Sequence, residues 1–205
     1  MRARSSTGSV DLTAPEAAEQ RRSIRKYTSE TIPESELRDM LRLAGRAPSA
    51  WNLQPWRFVV VRDPALKEQL MAVANKQAQV GRAPAVIVLY SDMNDVLAHL
   101  DEVAPTGDAA SWQARIQRYF EGLTPAERAA WGNAQTFTAL GWLLLIAESR
   151  GYATSPMLGF NPEGVKALLG LPPTAVVAAL MAVGHGAEER RLGARHAVDR
   201  VAQFR

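Results

Sequence analysis

The chain contains no cysteine. That removes disulfides, thiolate nucleophiles and thiolate-bound zinc or iron–sulfur centres together. Histidine is nearly as scarce: His99, His185 and His196 stand far apart and none falls in a metal-ligand spacing, so no metal site is expected. Long apolar runs are missing as well. The longest, Leu140 to Ala147, is broken by Gly141 and is too short to span a bilayer. Ser5 to Asp11 is polar and no apolar stretch follows it, so a secretory leader is not expected. The expectation is a cytoplasmic protein, free of membrane partners, whose residues 1–14 form a loose tail.

An excess of one charge is also lacking. The formal net charge is +3, and basic residues cluster only at 21–26 and 190–195. A nucleic-acid-binding domain would show a broader basic footprint, so nucleic acid is not an expected partner. A module that grips nucleic acid or another anion with these two arms is the weaker alternative reading. Familiar catalytic signatures are absent too. No Gly-x-Gly-x-x-Gly follows an expected strand, and there is no Walker sequence and no Gly-x-Ser-x-Gly elbow. No pair of carboxylates is singled out for acid–base work, and Glu188 and Glu189 read as a solvated turn.

What the sequence does contain is organised as one domain. At 205 residues, with 47% apolar and 22% charged side chains, the chain can bury a real core. Apolar spacings of three and four predict helices over about 32–46, 64–75 and 125–150, while short β-branched runs predict strands at 56–62, 85–90 and 175–183. Residues 92–124 are mixed and polar, carry Trp112, Tyr119 and Phe120, and read as a helical excursion that could cover a site. The second half of the 125–150 helix is apolar nearly all round, which suits a central helix or a subunit interface. Too many helices accompany the few strands for a doubly wound sheet, so the class is α+β with a small sheet.

Three segments carry the chemistry. Arg21-Arg22-Ser23-Ile24-Arg25-Lys26-Tyr27 places four cations and a serine hydroxyl in seven residues. As helix or as extended chain, it converges Arg21 and Arg25, and guanidinium forks suit phosphate oxygens. Ala47 to Phe58 carries Ser49, Asn52 and Gln54 in a polar turn between Pro48 and Pro55, with fixed hydrogen-bonding groups of the kind a planar heterocycle needs. Gly151 to Phe160 forms a third, glycine-punctuated turn.

Taken in order, these segments resemble the nitroreductase family. The marks are Arg-Arg-Ser-x-Arg-x-Tyr at 21–27, Ala-Pro-Ser-x-x-Asn-x-Gln-Pro-Trp-x-Phe at 47–58, and Gly-x-x-Thr-x-Pro-x-x-Gly-Phe at 151–160. The resemblance runs over roughly residues 15–200. It implies a nitroreductase-like α+β fold, with a small mixed central sheet flanked by helices, in an intertwined homodimer with FMN at the subunit interface. It implies one FMN-binding domain over 15–205, with a helical lid at about 92–124.

By the same resemblance, Arg21, Arg22 and Ser23 hold the phosphate and ribityl oxygens, and Arg25 lies by the pyrimidine edge of the flavin. Pro48, Ser49, Ala50 and Asn52 reach the flavin from the other subunit, and Asn75 and Gln77 meet its pyrimidine edge. Pro156, Met157, Leu158 and Gly159 bring backbone amides to the ring, with Leu158 standing where some members carry a glutamate. Arg195 is the expected C-terminal cation on the phosphate, with Arg190 or Arg191 as alternatives, because a lysine common two residues earlier is Gly193 here. No side chain is required as catalyst. Trp112, Tyr119 and Phe120 are candidates for the pocket wall, with packing in a helical bundle as the alternative. The implied activity is ping-pong hydride transfer from NAD(P)H through FMN to nitroaromatic, quinone or related acceptors. A branch of the family that uses O2 or dehalogenates its substrate is the alternative.

Overall fold

Four strands form one sheet in the order β1-β2-β4-β3, where β1 is Trp56–Val61, β2 is Ala85–Ser91, β3 is Ala153–Met157 and β4 is Val176–Gly184. The computed structural model describes residues 11–191 and 193–205. The two inner strands, β2 and β4, are continuous apolar runs because both faces are covered: Val86 to Leu89 and Ala179 to Val183 are fully buried. All three strand pairings are antiparallel. The expected mixed character is confined to one isolated parallel bridge between Ser23 and Thr154.

Along the chain run helices α1 (Ala14–Gln20), α2 (Glu34–Ala44), α3 (Pro64–Val73), α4 (Ala78–Arg82) and α5 (Met93–Ala98). There follow α6 (Ala109–Glu121), α7 (Pro125–Ser149), α8 (Pro162–Leu169) and the short α9 (Val198–Val201). Helix α7 is the spine. Thr124 caps its start in a capping box with Glu127, whose carboxylate accepts from the Thr124 N–H at 2.8 Å. Gly151, with φ of 81°, ends it in the left-handed region. Leu140, Leu143 and Ala147 of α7 pack with Leu37 and Met40 of α2 on Ile87, Leu89, Met181 and Val183 of the sheet. The opposite face of the sheet takes Leu70 of α3 and Val165 of α8 against Val86, Val88 and Leu180.

The excursion at 92–124 has its own small core. Trp112, Ile116 and Phe120 of α6 close on Met93 and Val96 of α5, and on Leu53 from the turn before β1.

Two boundaries differ from the sequence reading. Residues 154–157, expected as part of a turn, form the edge strand β3. Proline is tolerated there because an edge position does not demand every N–H, so the turn begins only after Met157. Of the expected tail, residues 1–10 lie outside the described residues, while Leu12 to Ala14 are tied down. The Leu12 N–H donates to Ser149 O at 2.9 Å, and Thr13 caps α1 in a capping box with Glu16.

Candidate functional site

The basic segment begins where α1 stops. Arg21 caps that helix with ψ of 124°, and the chain runs on extended. Of the two geometries the sequence leaves open, the extended one is realised. Ser23 bridges Thr154 on the edge of β3, the Ile24 N–H donates to Thr154 O at 3.0 Å, and buried Ile24 anchors the segment. From the other side, the chain leaving β4 pairs with it: Ala187 N–H donates to Lys26 O at 2.9 Å. Glu188 Oε1 accepts from the Arg25 N–H at 2.5 Å and the Lys26 N–H at 3.2 Å. Glu188 is exposed, as the sequence reading has it, but it is not idle. It clamps the backbone of the basic segment, and those amides together with both adjacent cations hold its carboxyl below the ordinary glutamate range.

Four guanidinium groups meet here. Burial, then the charges of Arg195 and Arg22, push the Arg21 pKa down; burial, then Arg22, does the same to Arg190. Arg21 Nη1 and Arg22 Nε are buried with no hydrogen-bond partner among the described residues. Both side chains are only part-buried, so water offsets much of the cost of these charges, but the two enclosed nitrogens lack acceptors that an anion would supply. Two open cavities flank Arg22. One, of about 510 Å³, is bounded by Gln20, Arg190 and Arg195. The other, of about 630 Å³, is bounded by Ser23, Arg25, Lys26 and Glu188.

A second cradle lies past the far end of β3. Helix α3 ends at Val73, and Asn75 and Lys76 both adopt left-handed φ, 52° and 54°. That turn carries Gln77 to Gly159, where Gln77 Nε2 donates to the carbonyl at 2.7 Å. Asn161 N–H donates to Val73 O at 2.8 Å and closes the same loop pair. A Cβ on Gly159 would lie 3.2 Å from Asn75 Nδ2, so a side chain there would push the amide aside, whereas glycine leaves the amide and the backbone free to face a ligand. Met157 points into the core at 5% exposure, while Leu158 stands out at 66%. Thr154, beside Ser23, and Gly159 are five residues apart, at most about 17 Å of extended chain. The anion site and the amide cradle are thus held at the two ends of one strand.

The third element stands apart. Trp51, Asn52 and Gln54 all adopt left-handed φ without being glycine, 54°, 58° and 46°; such conformations cost about 1–3 kcal/mol each and persist where surroundings enforce them. Helix α7 does so here. Gln135 Oε1 accepts from the Ala50 N–H at 3.0 Å, and Thr138 Oγ1 donates to Pro48 O at 3.2 Å. Ser49 Oγ accepts from the Gln54 N–H at 3.0 Å. The Asn52 side chain is exposed and unpartnered among the described residues. Within one chain this turn shares no hydrogen bond or ion pair with residues 21–25, 75–77 or 156–159 among the described residues.

The aromatic candidates divide. Trp112 and Phe120 are buried inside the excursion, at 8% and 1% exposure, as the bundle alternative has it. Tyr119 is exposed and meets Trp51 edge-on, with ring centroids 4.9 Å apart.

Sequence reasoning passed over Glu148, Gln135 and Thr138, and it read Glu188 as solvated without seeing its clamp. For Glu148 a signal existed: an acid in the last turn of an apolar helix opposes the helix dipole. For the others the partners lie far away in sequence and no local pattern marks them.

The model of the Nitroreductase family matches residues 18–185. The NADH dehydrogenase of Thermus thermophilus is 50% identical over 199 residues, 95% of this chain and 97% of that protein. YdgI of Bacillus subtilis, named as an NAD(P)H nitroreductase, is 32% identical over 202 residues, 90% of this chain and 94% of that protein. Among solved structures, a nitroreductase-type protein of Exiguobacterium sibiricum in complex with FMN superposes with a TM-score of 0.87 at 24% identity, covering 96% of this chain and 99% of that one. With the match running from the basic segment to the end of β4, the chain belongs to the nitroreductase family.

Proposed function

We propose that this protein is an FMN-dependent NAD(P)H oxidoreductase that works as a homodimer and passes electrons to small nitroaromatic, quinone or related acceptors. The observation that carries the reading is the pair of buried, unpartnered guanidinium nitrogens on Arg21 and Arg22, beside a third cation from Arg195. A phosphate monoester dianion supplies the acceptors these donors lack. At the other end of β3, Gly159 with Asn75 and Gln77 offers an amide-lined seat, which suits the edge of a heterocycle. The residues present therefore fit FMN.

Arg21, Arg22, Ser23 and Arg195 would hold the phosphate and ribityl oxygens. Arg25 would set a positive charge near the pyrimidine edge, where it favours electron density arriving on the ring. Asn75, Gln77 and the backbone from Pro156 to Gly159 would fix the ring's orientation, although Pro156 itself has no N–H to offer. When bound, FMN accepts hydride from NAD(P)H and returns the electrons to the second substrate. That division of labour explains why no nucleophile or acid–base pair is found: the chain positions, charges and shields.

Pro48, Ser49, Ala50 and Asn52, riveted to α7 yet separate from the other two elements, would complete the site across the dimer interface. Exposed Phe137 and Trp142 on α7, at 37% and 44%, mark the face that a second copy would cover. The purified protein should be yellow and should oxidise NADH or NADPH with nitrofurazone or a quinone as acceptor. A colourless protein that cannot be reconstituted with FMN overturns the proposal. Rapid NADH oxidation with O2 alone, or loss of halide from a halogenated phenol, would move the chain to the alternative branch.

A further inference from the structure

Glu148 lies in the last turn of α7 at 1% exposure. Both facts oppose a carboxylate. The helix C-terminus carries partial negative charge, and burial penalises the ionised form. One of its oxygens accepts from Arg190 Nη1, and the other has no partner among the described residues. Arg190 Nη1 also donates to the carbonyl of Gln20, the last residue of α1, at 3.4 Å. One carboxylate thus joins the end of α7, the end of α1 and the segment that follows β4.

That junction is the outermost fastening of the C-terminal segment. Glu188 grips the Arg25 and Lys26 amides. Among the described residues beyond Arg190, every hydrogen bond is local: Arg195 donates to its neighbour Ala194, and Arg205 to Gln203. Yet Arg195 lines one cavity with Arg22 and Arg190, and its charge helps to lower the Arg21 pKa. Four guanidinium groups stand here, those of Arg21, Arg22, Arg190 and Arg195, and like charges this close repel. Removing the Glu148 charge would leave Arg190 facing Arg22 with only a long contact to Gln20 O, and beyond the Glu188 clamp no other non-local hydrogen bond among the described residues would hold the segment against that repulsion.

We propose that Glu148 is a positioning residue for the phosphate end of the cofactor site: it holds Arg190, and through Arg190 it keeps Arg195 beside Arg21 and Arg22. The inference rests on the FMN reading above. Its test is a titration of FMN and of riboflavin, followed by flavin fluorescence, into wild type, Glu148→Gln, Arg190→Met and the double variant. Riboflavin has the ring and ribityl chain but no phosphate. Glu148→Gln should weaken FMN at least tenfold and leave riboflavin affinity within about twofold. Arg190→Met should do the same, and the double variant should be no weaker than Arg190→Met alone, because both act through one contact.

Unchanged or tighter FMN binding by Glu148→Gln overturns the proposal. So do losses that multiply in the double variant, or an equal loss for riboflavin. If the unpaired arginine prevents Glu148→Gln from folding, the double variant has no orphaned charge; FMN affinity equal to wild type in that variant is then the overturning result. Wild type that binds no FMN sinks the functional reading instead, so the two failures are told apart.

Discussion

Gln77 Nε2 donates to the Gly159 carbonyl at 2.7 Å, joining the loop that ends α3 to the turn that leaves β3. Neither side is regular structure, so the bond fixes two otherwise independent connections relative to each other. A hydrogen bond of this kind contributes about 1 kcal/mol, equivalent to roughly 2–4 °C of melting temperature in a chain of this size. Gln77→Ala should therefore melt only a few degrees lower in the absence of cofactor. FMN affinity should fall about tenfold, because the ring seat loses both an amide and its spacing. Calorimetry and a flavin titration measure the two effects; a variant that melts lower but binds FMN normally would exclude Gln77 from the site.

Arg21 offers the opposite pattern. Its guanidinium is half-buried beside Arg22 and Arg195, and Nη1 has no partner among the described residues. In the free protein that charge is a burden, and in the complex it is a ligand. Arg21→Met keeps the aliphatic stem and removes the charge. The expected outcome is an apo melting temperature equal to or above wild type at low ionic strength, with the difference shrinking as salt screens the repulsion. FMN should bind about 10–100-fold more weakly, matching the loss of a charge-assisted hydrogen bond of ~1.5–3 kcal/mol. A lower apo melting temperature at every salt concentration would count against the charge argument.

The acid limb of stability has a named contributor. The Arg150 guanidinium, and after it Arg42, hold the Asp39 carboxyl below its ordinary range, and Arg150 also reaches Glu36 Oε2 at 3.2 Å. This network pins α2 to the end of α7. In the unfolded chain an aspartate titrates near ~3.9, and the folded value is lower. The folded state therefore binds fewer protons between the two values. The stabilisation is fully present above the unfolded pKa and is lost as pH falls through the folded one. Asp39→Asn should melt below wild type at pH 7, and the gap should narrow as pH falls below the ordinary aspartate range and through the folded pKa. A gap that does not narrow anywhere on the acid limb would mean that the asparagine disturbs packing rather than charge.

The parts of this architecture that local periodicity encodes were legible. Val86 to Leu89 and Ala179 to Val183 are uninterrupted apolar runs because helices cover both faces of the inner strands. Leu37, Met40 and Ala44 recur at helical spacing because one face of α2 is buried. Edge strand β3 was not legible. Thr154-Ser155-Pro156 has the composition of a turn, and only pairing with Ala182 and Val183 makes it extended. In the site, the clustering of Arg21 and Arg22 could be read from sequence, since adjacency needs no fold. The carboxylates that manage those charges could not: Glu188 lies 163 positions from the Arg25 amide it holds, and Glu148 lies 42 from Arg190. Such contacts exist only once the sheet edge has brought both ends of the chain together.

Helix α7 carries the prediction that bears on assembly. Ala134, Phe137, Gly141 and Trp142 are exposed at helical spacing, and a Cβ at Gly141 would meet nothing within 4 Å. The opposite side of the helix, with Leu140, Leu143 and Ala147, is buried in the core. The exposed stripe therefore contributes little to the fold of one chain. A double variant, Phe137→Glu with Trp142→Glu, should remain folded by circular dichroism. At the centre of an interface, truncating one large aromatic costs on the order of 2 kcal/mol or more, about 30-fold in dissociation constant, and two buried carboxylates add repulsion. Sedimentation velocity should show wild type as a dimer and the variant as a monomer. The monomer should also lose FMN, because Ser49 and Asn52 would no longer be supplied by a partner. A variant that is monomeric yet binds FMN with wild-type affinity would show that the 48–52 turn is not shared between subunits, and one that stays dimeric would place the interface elsewhere.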